Sequence, residues 1–483
     1  MSSKNRPRVQ LSRRDFLAAT TASATAAAIG SPRSAWAAGY GSANERPTIG
    51  YIGTGIRYEQ LVTEASRFGH CAALCDVDSS QLDAGFKMQD RVVESTGASS
   101  PRPDGYDDYR RILDRQDIDI VVIGAPDHWH SKLAIEALLA GKDVYCEKPL
   151  THNVAEGQQI ISALRRTDRV MQVGTQQRSG EQFQTAVAMT RAERAGKVKR
   201  ITCGIGPSPE SDALPDVAPP STLDWDRWLG PAPWVPYCAA PTKPTSGYGS
   251  QYPHSRCHGH FRWWYEYAGG KLTDWGAHHV DIAMWSLGKS DGSIGKFTIE
   301  PRRVDHPVDF ADGMPVSADR FNTALTFEVG ITFADGVQLD IVDRSERLNL
   351  DNGIFYECEG GRYLVNRGKL VGKPAEELAS NPLPDAAFAD LYTGPRHDGD
   401  TQDHEARSGA HMQNFFDCVK SRDTPISDVA SHHRHLSVCH VANISMRLGR
   451  TLTYDPAVER FVDDPQADAL LSREPRKGYE TEA

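Results

Sequence analysis

The feature that most constrains this chain is a succession of short apolar runs, each ending in glycine or polar residues and joined to the next by a helical pattern. The runs are Ile49–Ile52, Cys71–Cys75, Ile118–Ile123, Asp143–Cys146 and Val170–Val173. Short, mainly apolar strands joined by helical patterns are what a parallel sheet covered by crossover helices requires. Helical patterns at Glu59–Phe68, Ser131–Ala140 and Val154–Arg166 supply the crossovers. In such a sheet the carboxyl ends of the strands form the ligand crevice, so motifs distant in sequence converge there.

The first run ends in Gly53-Thr54-Gly55-Ile56-Arg57-Tyr58. Glycines at this position let the backbone turn sharply and approach a pyrophosphate at a helix N-terminus, where unpaired N–H groups and the helix dipole favour an anion. Tyr58 stands where a third glycine is usual. The second run ends in Asp76, at about the 20-residue spacing expected of an acid that accepts hydrogen bonds from a ribose diol. Neither Arg nor Lys follows it directly to meet a 2′-phosphate, which favours NAD over NADP. Later strand ends deliver Pro126-Asp127-His128-Trp129-His130, Glu147-Lys148-Pro149 and Gly174-Thr175-Gln176-Gln177. With Gly53, Gly55, Arg57 and Asp76, the residues Pro126, His130, Glu147, Lys148 and Gln176 are therefore expected around the cofactor.

Glu147-Lys148-Pro149 after a strand and Asp274-Trp275-Gly276-Ala277-His278 after Gly269-Gly270, together with the glycine turn and the Pro-Asp-x-x-His segment, resemble the Gfo/Idh/MocA oxidoreductases, which include glucose-fructose oxidoreductase and inositol dehydrogenase. The resemblance runs from about Thr48 to the C-terminus. Its Leu223–Pro231 and His260–Trp264 segments look like those of secreted sugar-acting branches. It implies an N-terminal Rossmann domain followed by an α/β domain with a large open, mainly antiparallel sheet. Alternation at Leu325–Phe333 and Val337–Ile341 about Asp335-Gly336, and a hairpin over Ile354–Val365 turning at Gly360-Gly361, support that sheet independently. Two stretches rich in Pro, Gly and Ser, about 205–255 and 371–405, are candidates for substrate-covering or oligomer contacts. A homo-oligomer is expected by resemblance, as is a cis bond before Pro149.

Hydride transfer from a carbinol carbon requires the hydroxyl proton to leave at nearly the same time, so the site needs a base. Asp274 and His278, four apart on a helix, would share a face, with the carboxylate orienting the imidazole or binding a neighbouring hydroxyl. Lys148 would stabilise the developing alkoxide. Because the family uses either Lys or His as base, Lys148 and His278 both stand as candidates. Arg178, Trp264 and His279 are candidates for substrate contact; His279, with Asp281, could instead support the site. His254, Cys257, His258 and His260 lie close together without a tetrahedral ligand pattern, and no metal is expected. His432, His433, His435 and His440 read as facing solvent or packing against the Rossmann domain.

The N-terminus carries Ser12-Arg13-Arg14-Asp15-Phe16-Leu17, a weakly apolar stretch from Ala18 to Ile29, and Ala35-Trp36-Ala37 as a small-x-small cleavage site. This resembles a twin-arginine leader, which implies passage of the folded chain through the twin-arginine translocation machinery, periplasmic residence and a tightly held cofactor. On this reading residues 1–37 are the leader, 38–47 a linker, 48–175 the Rossmann domain, 176–405 an α/β substrate and oligomerisation domain, and 406–483 a C-terminal helical segment packing back on the core. No later apolar run is long enough for stable membrane insertion. The formal charge of −10, with no basic stripe, disfavours nucleic acid. Nine scattered cysteines without a Cys-x-x-Cys pair read as free thiols.

Three function classes follow. The first is an NAD-dependent oxidoreductase on a sugar or polyol. The second is a redox-neutral enzyme that cleaves or epimerises a glycoside through a transient keto-sugar with tightly bound NAD. The third is a sugar-binding protein on the same scaffold, against which the joint presence of Lys148, Asp274 and His278 argues.

Overall fold

The computed structural model describes residues 46–96, 101–289, 294–394 and 404–481. The expected leader, most of the expected linker and part of the 371–405 stretch lie outside them. Six parallel strands form the first sheet: β1 (Thr48–Ile52), β2 (His70–Cys75), β3 (Asp104–Tyr106), β4 (Ile120–Ile123), β5 (Asp143–Glu147) and β6 (Met171–Gly174). Their spatial order is β3-β2-β1-β4-β5-β6, the doubly wound arrangement that reverses direction beside β1. β4 is buried along its whole length, as its continuous Ile-Val-Val-Ile run requires. β3 has no counterpart among the apolar runs, because this edge strand, Asp-Gly-Tyr, buries almost nothing.

Helices α1 (Tyr58–Ala65), α2 (Asp127–Leu139) and α3 (Val154–Arg166) cover this sheet. α2 starts four residues before the sequence pattern implies, so the Pro-Asp-x-x-His segment forms its first turn. At the start of α3 the Asn153 side chain accepts from the Glu156 N–H, while a Glu156 oxygen accepts from the His152 N–H (2.7 Å), a reciprocal cap that fixes the chain just after Lys148-Pro149.

The second sheet has nine strands in the order Lys369–Val371, Arg362–Asn366, Asn352–Cys358, Val198–Ile205, Gln338–Val342, Thr326–Phe333, Phe297–Asp305, Leu452–Asp455 and Arg460–Phe461. All its pairings are antiparallel except that of Val198–Ile205 with Gln338–Val342, so the sheet is mixed. Both hairpins turn at the glycines named above. The last two strands belong to the C-terminal segment, which is therefore helical only in part.

Two short helices, α4 (Gly270–Asp274) and α5 (Gly276–Ser286), follow each other, and α5 packs against the long α6 (Val429–Leu448). α6 also contacts α3 and the Phe297–Asp305 strand, so it ties the Rossmann sheet to the second sheet. Its histidines are all buried rather than solvated. His433 meets Glu459 at 2.7 Å and His440 meets Thr151 of the Rossmann domain at 3.1 Å. The 205–255 stretch folds over its own aromatic cluster, with Trp225 and Trp228 stacked at 4.9 Å. All nine cysteines are free, and only Cys358 is as little as half-buried. Among the described residues no helix is long and apolar enough to cross a membrane.

Candidate active site

The site begins at the turn after β1. Gly53 has φ +91°, and a Cβ there would lie 2.7 Å from the backbone of Gly124 and Ala125, so conformation and close packing against the β4 turn both demand glycine. At Gly55 the situation is opposite, for a Cβ would meet only the Gln81 side chain, at 3.9 Å. That leaves an open cradle before α1. Asp76, at the end of β2, braces the turn: one carboxylate oxygen accepts from Thr54 N (2.8 Å) and Thr54 Oγ1 (3.2 Å), the other from Asp78 N (3.0 Å). Burial still pushes its carboxyl up to about 6.

β5 delivers Glu147 and Lys148. Glu147 accepts from Arg57 Nη2 (2.8 Å) and Gln176 Nε2 (3.1 Å). Burial works against its charge, yet Arg57 and then Lys148 hold the carboxyl below its ordinary value. The Lys148–Pro149 bond is cis. Lys148 Nζ donates to Asp274 Oδ1 (2.6 Å) and to the Asp274 carbonyl (3.2 Å). Arg262 Nε stands 3.7 Å from the same carboxylate. Burial alone would raise Asp274, but Lys148 and Arg262 outweigh it and hold the carboxyl at about 2.

His278 lies on the first turn of α5, buried. Burial first, and then the neighbouring cations Arg367 and Lys148, drive its imidazole well below the ordinary range, so it is neutral. Its Nδ1 has no hydrogen-bond partner. The expected Asp274–His278 partnership is not formed. The helical run is interrupted at Trp275, and the Asp274 carboxylate is engaged by Lys148 instead.

One cavity of about 510 Å³ gathers Gly53, Gly55, Arg57, Asp76, Pro126 and His130 with Glu147, Lys148, Gln176, Asp274 and His278. His130 links two of the turns, its ring nitrogens lying 2.6 Å from the Pro149 carbonyl and 2.8 Å from that of Ala125. Three candidates fall elsewhere. Arg178 is sunk in the core, where Nε and Nη2 donate to the two oxygens of Asp281 (2.7 and 2.6 Å). Trp264 is fully buried, its indole donating to the Ser255 carbonyl (3.0 Å) beneath the Arg256 guanidinium. His279 points away from the cavity between Gln177 (3.2 Å) and Asn352 (3.3 Å), so it supports the site without facing it.

Residues that sequence reasoning passed over also line the cavity: Asp127, Arg262, Lys271 and Arg367, with an aromatic wall of Tyr248, Tyr252, Phe261 and Trp263. Asp127 opens α2, and burial raises its carboxyl to about 7 against the pull of Arg262 and Lys148. Its place directly after Pro126 was a readable signal. Arg367, in the loop between two strands of the second sheet, gave none. Among the described residues no cluster of three or more His, Cys, Asp or Glu could hold a metal ion.

The donor set fits a dinucleotide: an open glycine cradle at a helix start, a strand-end carboxylate, and a half-buried Arg57 whose inward Nε is unpartnered. Comparison with known proteins agrees. Residues 48–175 match the oxidoreductase family's NAD-binding Rossmann fold, and residues 210–390 and 401–481 its C-terminal alpha/beta domain, under the family name GFO_IDH_MocA. An alpha-N-acetylgalactosaminidase of Shewanella oneidensis is 34% identical over 130 residues, covering 25% of this chain and 26% of that protein. The chain thus spans about a quarter of the length of such curated relatives. Two solved structures share the fold. The WlbA dehydrogenase of Bordetella pertussis in complex with NADH and UDP-GlcNAcA is 16% identical with a TM-score of 0.54, covering 84% of this chain and 98% of that one. The aldose-aldose oxidoreductase of Caulobacter crescentus complexed with glycerol is 16% identical with a TM-score of 0.53, covering 84% and 99%. Cradle, cavity and matched domains together establish that this chain belongs to the Gfo/Idh/MocA oxidoreductase family and that its cofactor is NAD.

Proposed function

We propose that the protein exchanges a hydride between NAD and a hydroxyl-bearing carbon of a sugar or polyol. The observation that carries this reading is the convergence of the Lys148–Asp274 ion pair and the neutral His278 on the cavity that also contains the glycine cradle. When bound, NAD supplies the nicotinamide carbon that takes or gives the hydride. Glu147, pinned by Arg57 and Gln176, sets the strand end from which Lys148 projects. Asp274 stays ionised and holds the Lys148 side chain beside the reacting oxygen, where it stabilises negative charge as the hydroxyl proton leaves. His278, neutral and lining the same cavity, accepts that proton.

A second reading is favoured by the relative named as an alpha-N-acetylgalactosaminidase and by others described as glycosyl hydrolase family 109 proteins. In it the same oxidation is transient: the ketone acidifies the neighbouring C–H, the glycosidic bond breaks by elimination, water adds, and the hydride returns. The leader adds a further proposal, export by the twin-arginine route to the periplasm with NAD carried tightly bound. Cell fractionation with mass spectrometry of the released cofactor tests it.

The reaction itself is tested by incubating holoenzyme, without added NAD, with a panel of aldoses, polyols and their aryl glycosides. Accumulating reduced nicotinamide marks net oxidation. Aglycone release without that accumulation marks the redox-neutral course. If no member of the panel exchanges hydride or loses its aglycone, the proposal fails.

A further inference from the structure

The cavity wall carries more positive charge than this chemistry uses. Arg57 is paired with Glu147 and Lys148 with Asp274, while Arg262 stands beside Asp274 as well. Arg367 and Lys271 have no carboxylate within ion-pair distance among the described residues. Both stand against the same indole: Arg367 Cζ is 4.6 Å from the Trp275 ring centroid and Lys271 Nζ is 6.0 Å from it. Trp275 separates Asp274 from α5, so the two cations neighbour the groups assigned to the reacting oxygen. Consistent with that placement, Arg367 is the cation that weighs most on His278, and Lys271 acts on Asp274.

The bonding of Arg367 is incomplete in an informative way. With the Gln177 amide turned to satisfy its neighbours, its oxygen accepts from Arg367 Nε at 3.1 Å and its nitrogen donates to the His278 carbonyl at 3.3 Å. The guanidinium is thus oriented through Nε. Its two terminal nitrogens donate to no described group, yet they are not sealed from the cavity. Burial lowers both cations from their ordinary values, Arg367 to about 10. Asp127 does not answer them, since its carboxyl is raised to about 7 and the cations acting on it are Arg262 and Lys148. Asp274 acts on both cations from beyond ion-pair distance, and a half-buried cation with no carboxylate in contact is costly, a cost that falls when a ligand brings an anion against it.

We propose that Arg367 and Lys271 form an anion subsite, and that the substrate is a sugar bearing a negative group, a carboxylate or a phosphate or sulfate ester, held beside the carbon that exchanges hydride. This rests on the sugar reading above and names the substrate class within it. A guanidinium presenting two terminal N–H groups suits two oxygens of one anion, and the lysine ammonium near the same indole adds a point charge.

Calorimetric titration of holoenzyme, with the dinucleotide phosphates already seated, compares a neutral aldose with its uronic acid, its phosphate ester and its sulfate ester. At least one anionic member is expected to bind about 10-fold or more tightly than the neutral parent, and the member that does so identifies the group. Raised ionic strength should weaken that member and spare the neutral sugar, a measurement on the unaltered protein. Arg367→Gln with Lys271→Gln should bring the two affinities close to parity, and Arg367→Lys should restore part of the difference. If every anionic sugar binds no more tightly than its neutral parent, the subsite is refuted. An anionic preference without hydride exchange would instead sustain the subsite and refute the reaction assigned in the preceding section.

Discussion

Two cation–carboxylate pairs join the end of the Rossmann sheet to the helices that follow residue 270, and they differ in what surrounds them. Lys148–Asp274 is 14% and 16% exposed, with one short hydrogen bond between its members and the cavity beside it. Arg178–Asp281 is 2% and 1% exposed and bidentate. Its remaining valences are filled by the Ile426 carbonyl (3.0 Å), Ser431 Oγ (2.9 Å), His435 and His432. The sequence offers members of both pairs as site residues, Lys148 and Asp274 for the reaction and Arg178 for substrate contact, but it does not pair them this way. The contrast teaches that accessibility and spare hydrogen-bonding capacity, not the pairing itself, separate a reacting pair from a structural one.

The sharpest way to break that contrast is Arg178→Met. It would leave Asp281 buried without its main counter-charge, and a loss of about 3–5 kcal/mol in unfolding free energy is expected from denaturant titration. A loss below about 1 kcal/mol would show that the core pair does not hold α5 in place. Next comes Lys148→Met, which removes the group at the reacting oxygen. Turnover should fall by about 10²- to 10³-fold while NAD still binds and unfolding is disturbed far less than in Arg178→Met. Near-normal turnover would remove Lys148 from the mechanism.

Asp127→Asn probes the carboxyl between these extremes. Its folded-state value of about 7 exceeds its ordinary 3.8, so its favourable contribution is fully present below about pH 4 and lost as pH rises through 7. The asparagine variant should therefore match the wild type in acid and gain melting temperature relative to it above neutrality. An equal difference at all pH values would contradict the assignment. The smallest effect is expected for His279→Gln. Because His279 does not face the cavity, KM should hold while stability drops by about 1 kcal/mol from the lost hydrogen bonds.

The fold was legible where its physics is local. Buried strands must be apolar, and turns with positive φ must carry glycine, so β1, β2, β4, β5 and β6 and the Gly53 turn could all be located from the residues alone. β3 could not, because an exposed edge strand obeys no apolar pattern. The site was legible at strand ends for the same topological reason. Residues supplied by the second sheet or its loops, Arg367 above all, reach the cavity through long-range packing that no spacing announces. Asp274 and His278 both line the cavity, but the helix interruption at Trp275 was invisible in a five-residue motif that would suit a continuous helix. Of the two places expected for the α6 histidines, solvent or the Rossmann domain, the second holds for His440 against Thr151, while His432 and His435 meet Asp281 and His433 meets Glu459 inside the protein.

A crystal structure of the holoenzyme with NADH and a bound sugar would show whether Lys148 and His278 meet the reacting oxygen. The dinucleotide is expected across the Gly53–Gly55 turn, with the sugar carbon that exchanges hydride facing the nicotinamide and its oxygen within hydrogen-bond reach of Lys148 and His278. A nicotinamide seated away from both side chains, or a sugar oxygen contacting neither, would contradict it.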